Sequence, residues 1–542
     1  MRISTEQYFD SSAARYSSNF SNVTKTQQQI DSGVRIQTAA DDPVGAARLL
    51  LLQQQQDMLG QYAGNIGTMK NSLNSEESVL ASINTALQRA SELALKVAGK
   101  GGGGISDDDR KAVASEIGEI EKQVLSLLNS KDSSGHFLFA GGKSDTPPYA
   151  RNSDGTYSYQ GDETPLSLKV SDTLSMVAND TGKSILEGTT NAGRTQVTLQ
   201  PPSVNDGKIW LSAGTVTSPS SYDKSFTEGQ PYKLTFLSST QYTVTDSTGK
   251  DVTSETAGNG VFDATKEGSS SISLRGVSFD IDQNLKGVKP GADTDAVYKD
   301  RVYTLETKPD TFSVSRTPSN TSTAQLSAGR VTSPADYSST FPNKGAVVKF
   351  TSATDYEVYA QPITADSRPV SNGTLVPAVP GTPGPPPVPG TPATITAAGV
   401  TLEVSGTPGV GDQFAVASNN HKTQSALDTL SQLRQALETP SDGDPVAQGK
   451  LTDVANATIT NLQASYAQVD MVRGSVGARL NTLQIQESEN TSMVLANKST
   501  ISSIADTDVS TAAIDLAFQQ SMLQASQLAF VKISQLSLFS KM

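Results

Sequence analysis

The chain has no cysteine, which excludes disulfide frameworks, cysteine-ligated zinc, iron–sulfur clusters and thiol nucleophiles together. Histidine is nearly as scarce: His136 and His421 are the two imidazoles of a 542-residue sequence and stand far apart in it. Metal-centred and histidine-based catalysis are not expected, and no cofactor is called for. No glycine-rich phosphate loop and no Ser/His/Asp set is present, so nothing in the sequence points to an enzyme. No apolar run reaches the roughly 18 residues of a membrane span. The opening stretch, Met1 to Asp10, lacks the apolar core of a secretory signal, so export by the general secretory route is not indicated. Lysine and arginine total 42 against 55 acidic residues, a net charge of −13, and the cations are scattered singly. Nucleic acid is therefore not an expected partner.

The apolar fraction is a modest 35% with 6% aromatics, which argues against one deep core in a chain long enough for three or four domains of about 150 residues. The periodicity shows where the apolar residues go. Phe9, Ala13, Tyr16, Phe20, Val23 and Ile30 step by four, three, four, three and seven, a coiled-coil-like stripe. A longer series sets Leu52, Leu59, Ile66, Leu73, Leu80, Leu87 and Ala94 seven apart, with Tyr62, Met69, Ile83, Ala90 and Val97 on the alternate seam and Glu76 breaking it. Gly101 to Gly104 end that helix, since each loses backbone entropy when helical. A third helix is expected from Ser106, a hydroxyl cap followed by Asp107, Asp108 and Asp109 at the positive end of the dipole, with a stripe of Val113, Ile117, Ile120, Val124 and Leu127.

The other end repeats the pattern. Ala426, Leu430, Leu433 and Leu437 mark a helix stopping near Pro440, and a second runs from about Val446 to about Ser503 with Leu462, Val469, Val476 and Leu483 seven apart. The last segment carries Val509, Leu516, Leu523 and Phe530 in one row and Met522, Ala529 and Leu536 in a neighbouring row. That apolar surface is wider than one partner helix would cover.

Between the ends, Pro, Gly, Thr and β-branched residues dominate. Asp154-Gly155, flanked by Tyr149, Tyr157 and Tyr159, reads as a hairpin turn. Leu211 to Phe226 recurs as Leu326 to Phe341, ten of sixteen positions matching at an offset of 115, and Gly276 to Ile281 resembles Gly399 to Val404. The fold class that follows is α+β and multidomain: a long coiled-coil-like helical stem from both termini, a β-hairpin region and two duplicated β-rich modules. The expected boundaries are 1–140 with 420–542 for the stem, 141–202 for a hairpin-containing extension, 203–320 for the first module and 321–419 for the second. A Pro-rich exposed loop occupies 377–392 of the second module.

The join between the first two helices reads as a stop followed by a start. Gly33 suits a left-handed C-terminal cap, Asp42 an N-cap and Pro43 the first helical position, with Arg35 near Asp41 and Asp42 for an ion pair that tightens the corner. Ser32-Gly33-Val34-Arg35-Ile36 followed by Asp41-Asp42-Pro43 resembles the amino-terminal signature of the flagellin family, with Asp31 in place of a serine. Val472-Arg473-Gly474 through Asn481, and Ile504-Ala505-Asp506-Thr507-Asp508, resemble its carboxy-terminal signatures. Within the family, Met1 to Thr5, His136 to Gly141 and Pro148 to Asp162 are more similar to the hook-associated members than to the filament subunit.

The resemblance implies a structural part of the bacterial flagellum, exported unfolded by the flagellar type III pathway and assembled outside the cell between hook and filament. The implied partners are further copies of the chain, a neighbouring hook-associated protein, flagellin or the adjoining filament-side layer, and an export chaperone. The terminal segments 1–31 and 505–542 would pair and line an inner wall. The candidate assembly residues are Phe9, Tyr16, Val23, Ile30, Gly33, Arg35, Asp41, Asp42, Pro43, Arg473, Asp506, Asp508, Leu516, Leu523 and Phe530. A filament flagellin and a surface adhesin are the competing readings.

Overall fold

In chain order the computed structural model contains helices α1 (Thr5–Ser32), α2 (Pro43–Ala98) and α3 (Asp107–Leu128), a β-rich middle, and helices α4 (Ala426–Glu438), α5 (Pro445–Ala505) and α6 (Val509–Phe539). It describes residues 5–99, 105–152, 155–203, 205–262, 270–285, 287–289, 291–317, 319–342, 344–364, 366–380 and 391–539. The glycine run 101–104, Asp154 and most of the Pro-rich segment 377–392 lie outside these. The chain divides into two compact units: 1–77, 165–179 and 474–542 form the first, 78–164 and 180–473 the second.

In the first unit α1 packs along α6, and the carboxy-terminal part of α5 lies beside the amino-terminal part of α2. Asn490 Nδ2 donates to the Leu59 carbonyl at 2.9 Å, and Lys70 pairs with Glu487 at 2.7 Å. The expected heptad row is the buried one, with Leu59, Ile66 and Leu73 on α2 facing inward and Val476 and Leu483 doing so on α5. A small hairpin of β3 and β4 belongs to this unit. Asn65 Nδ2 donates to Lys169 and Arg479 to the Val177 carbonyl, which fix both strands to the helices.

The second unit holds α3 packed on α4. The Ser106 hydroxyl accepts from the Asp109 amide at 3.3 Å, the cap expected at that position. Ile117, Ile120 and Val124 of α3 face Leu430, Leu433 and Leu437 of α4, and the last turn buries Leu128 where Leu127 was expected. The buried Glu121 carboxylate ties this pair to the hairpin, accepting from Arg434 Nε at 2.7 Å and from the Tyr157 hydroxyl at 2.6 Å. That hairpin is β1 (Tyr149–Arg151) with β2 (Tyr157–Tyr159), with Gly155 between them at φ +86°. The strands of the first-unit hairpin are β3 (Ser167–Lys169) and β4 (Ser175–Val177).

The middle contains two sheet systems, each with its own aromatic core. The first comprises β5 (Thr195–Leu199), β6 (Ile209–Leu211), β7 (Thr215–Val216), β8 (Tyr232–Phe236), β9 (Tyr242–Thr245), β10 (Ser270–Leu274), β11 (Val277–Gln283) and β12 (Val302–Thr307). Its sheets run β5-β12-β8-β9 and β10-β11-β6, with β7 also on β11, around Phe226, Phe236, Phe279 and Tyr298. The second comprises β13 (Thr311–Arg316), β14 (Gln325–Val331), β15 (Ala346–Phe350), β16 (Asp355–Ala360), β17 (Ser371–Thr374), β18 (Ala393–Ala397), β19 (Val400–Ser405) and β20 (Gln413–Asn419). Its sheets run β13-β20-β15-β16-β17 and β14-β19-β18, around Phe350, Phe414 and Leu402.

The strand pairing shifts the expected module limits. β13 lies before the 320/321 boundary yet pairs along its length with β20, while β5 lies before residue 203 yet pairs with β12. Burial accounts for the shift: Val197 and Leu199 pack on the first core, Phe312 and Val314 on the second.

Candidate assembly site at the helical termini

The two terminal helices meet through an aromatic contact and a polar ladder. The ring of Phe530 sits 5.1 Å from that of Phe9 and 6.2 Å from that of Tyr16, a spacing at which aromatic pairs attract beyond their buried area. Further along, Asn19 Nδ2 donates to the Ser526 hydroxyl at 2.5 Å, and the Thr26 hydroxyl donates to Gln519 Oε1 at 2.9 Å. Val23, Ile30, Leu516 and Leu523 are half-buried in the same antiparallel arrangement. The periodic apolar row pointed to the seam. It gave no sign of Asn19, Thr26, Gln519 or Ser526: on α1 the second row of the seam runs through Asn19 and Thr26, one residue before the expected Phe20, which is 56% exposed, because their polar partners on α6 select that register.

The opposite face of α6 is apolar too. Ile514, Phe518 and Leu528 are 71%, 66% and 68% exposed, and Met522 is exposed beside them. Successive steps of about 100° per residue set Ile514 and Phe518 across the helix from Leu516 and Leu523. The second apolar row is thus wider than expected: Met522 belongs to it, and the side chain of Leu536 lies outside the described residues. α2 also carries an outward row, Val44, Leu51 and Met58, spaced by seven and exposed, which flanks the buried row that includes Leu59 about 100° away around the helix.

The corner between α1 and α2 docks on the turn between α5 and α6. Gly33 closes α1 at φ +69°, where a side chain would be strained, and its carbonyl accepts from the Thr507 amide at 2.9 Å. Val34 and Asp506 form an antiparallel bridge, and the Arg35 amide donates to the Ala505 carbonyl at 2.6 Å. Asp42 caps α2 by accepting from the Gly45 amide at 2.9 Å, and Pro43 takes the first helical position. Asp508 caps α6 in the same way, accepting from the Ser510 amide at 3.0 Å and the Thr511 hydroxyl at 2.7 Å. Its carboxyl is held below the usual range by the Thr511 hydroxyl and amide. Ile36, Leu49 and Ala505 make a small core beneath these bonds.

The expected charge cluster resolves differently. Asp41 pairs with Lys25 at 2.6 Å and accepts from the amides of Thr38 at 2.8 Å and Gln37 at 3.0 Å; the Lys25 ammonium, then those amides, lower its pKa to about 2. Arg35 instead spends its guanidinium on the Ile504 carbonyl at 2.7 Å, with Asp42 at 3.9 Å. The geometry favours this division, because Asp41 faces back toward α1 and the Arg35 side chain forward to α5. Arg473 does not join the corner: it falls in the second unit and pairs with Asp470 at 3.2 Å, three residues earlier on α5.

These helices carry the relationship to known proteins. Residues 3–144 match the bacterial flagellin N-terminal helical region. It is similar to flagellar hook-associated protein 3 of Salmonella typhimurium, 34% identical over 193 residues that make up 35% of this chain and 58% of that one. The protein of the same name from Escherichia coli is 33% identical over the same shares. The chain thus spans little more than half the length of the curated relatives it matches. Among solved structures, a flagellar hook-associated protein-3 from Legionella pneumophila matches with a TM-score of 0.44 at 19% identity, over 84% of this chain and 98% of that one.

Proposed function

We propose that this protein is a structural subunit of the bacterial flagellum that joins hook to filament by self-assembly of its terminal helices. The observation that carries the reading is the doubly apolar α6: one face packs on α1, while Ile514, Phe518 and Leu528 remain exposed. A surface of this kind is unstable in water and is stabilised by a neighbouring subunit. At about 25 cal/mol per Å², covering a few hundred Å² of it contributes several kcal/mol before ordering costs. The outward row Val44, Leu51 and Met58 on α2 supplies a second, non-identical patch, and two unlike patches are what an open helical or ring assembly requires. Similarity to hook-associated protein 3 favours the junction over the filament. The neighbours in this reading are further copies of the chain, a hook-side hook-associated protein and flagellin, with passage through the flagellar type III route aided by an export chaperone.

We infer further that the two sheet systems are copies of one module. The order β5-β12-β8-β9 corresponds strand for strand to β13-β20-β15-β16, and β10-β11-β6 to β18-β19-β14. The β10–β11 and β18–β19 turns agree as well: Arg275-Gly276 and Ala398-Gly399 both have positive φ, and Gly276 and Gly399 accept from Thr217 and Thr332 alike, each at 2.9 Å.

The deletion phenotype tests the junction role. Cells lacking this protein should build hooks, release flagellin into the medium and fail to swim. Cells lacking it that retain full filaments would refute the assignment.

A further inference from the structure

Where the first β module meets α5, a cavity of about 300 Å³ is lined by Lys308, Asp453, Lys450, Asn461, Thr195 and Asn191, among others. Its volume falls at the small end of ligand sites. Three of its groups are charged, the half-buried Lys308 and Asp453 and the exposed Lys450, and the ammonium group of Lys308 reaches no ion-pair partner among the described residues. Asp453 Oδ2 accepts from the Ala213 amide at 3.0 Å, and the indole of Trp210 also faces this carboxylate, although neither Oδ1 nor the indole nitrogen completes a hydrogen bond. Half-buried charges of opposite sign that share one cavity normally close into a direct pair, because desolvating either one alone is costly. Here they share one cavity and remain apart. The wall is otherwise amides and hydroxyls, with Val454, Ala457 and Ala213 as small apolar patches.

We propose that this cavity binds a free α-amino acid, whose carboxylate pairs with Lys308 and whose ammonium pairs with Asp453. The Lys308 ammonium group lies beside the bare backbone of Gly193, where an added Cβ would stand 3.6 Å from it, in ordinary contact. The groups facing Asp453 set the pH response. Burial, and to a lesser degree Asp282 and Asp280 of β11, raise its pKa to about 7, against the amide of Ala213 and the indole of Trp210, with Lys308 opposite and Lys450 on the same helix. Asp453 must be ionised to receive an ammonium group, so affinity rises with pH through about 7 and falls below it. The proposal is independent of the assembly role.

Titration calorimetry of the full chain against each proteinogenic α-amino acid, with acetate and methylamine as singly charged controls, tests it. Expected is saturable binding of at least one amino acid, weakened about tenfold or more by Lys308→Met and by Asp453→Asn. Asp453→Asn keeps an acceptor for the Ala213 amide; if either variant misfolds by circular dichroism, the pH dependence of the unaltered chain and competition by the controls decide. No saturable binding of any amino acid, or binding indifferent to both substitutions and to pH, overturns the proposal.

Discussion

At Gly45 two neighbours already occupy the space a side chain would take. A Cβ there would meet Asp42 Oδ2 at 2.5 Å and Ile36 Cδ1 at 2.7 Å, so the cap of α2 and the core of the corner close over a bare backbone. Gly45→Ala is expected to loosen the corner by about 1 kcal/mol despite the better helix propensity of alanine, because crowding a packed site outweighs the propensity gain. Faster hydrogen exchange at the Thr507 and Arg35 amides would register it. Asp41 offers a pH test at the same scale. Its pKa is lowered from 3.8 to about 2, so its contribution is present above 3.8 and lost as pH falls through about 2. Protection of the Gln37 and Thr38 amides should disappear across that interval, and Lys25→Ala should move the loss to higher pH. At Arg35 the carbonyl of Ile504 is the principal partner, so Arg35→Lys, which keeps the charge but not the forked donor, should also weaken the corner.

The helices show how differently two kinds of element disclose themselves. Rows of Leu and Val seven apart specify α2 and α5 without ambiguity, since a buried seam leaves the same spacing whatever its partner. Ser106, Gly33, Asp42 and Pro43 mark ends because capping chemistry is local. Partnerships between distant residues are not local, and this is why Lys25 with Asp41 and Thr26 with Gln519 escaped the sequence. The β modules fall between these cases. The likeness of Gly276–Ile281 to Gly399–Val404 is legible, though not the turn that opens each, and β5 and β13 fall on the wrong sides of the expected boundaries, since TQVTL and TFSVSR share little beyond alternation. Among the helices, the α1–α6 pair rests on few large contacts. Phe530→Ala should remove both ring contacts, weaken the pair by about 1–2 kcal/mol and raise exchange throughout α1 in the monomer, leaving α3 and α4 unchanged.

For the whole molecule, scarcity of apolar residues and excess exposed apolar helix surface are two sides of one design. The chain keeps its β cores small and separate and leaves long apolar rows exposed on its helices. On the proposed junction role, Phe518→Asp should leave the monomer's circular dichroism unchanged while abolishing its incorporation into flagella, since the substitution alters an exposed face and no internal contact of the α1–α6 seam. The proposed role as a junction subunit is tested most directly by immunogold labelling of isolated hook–filament preparations. Label confined to the point where hook meets filament is the result predicted; label along the filament, or on the cell surface away from flagella, would contradict it.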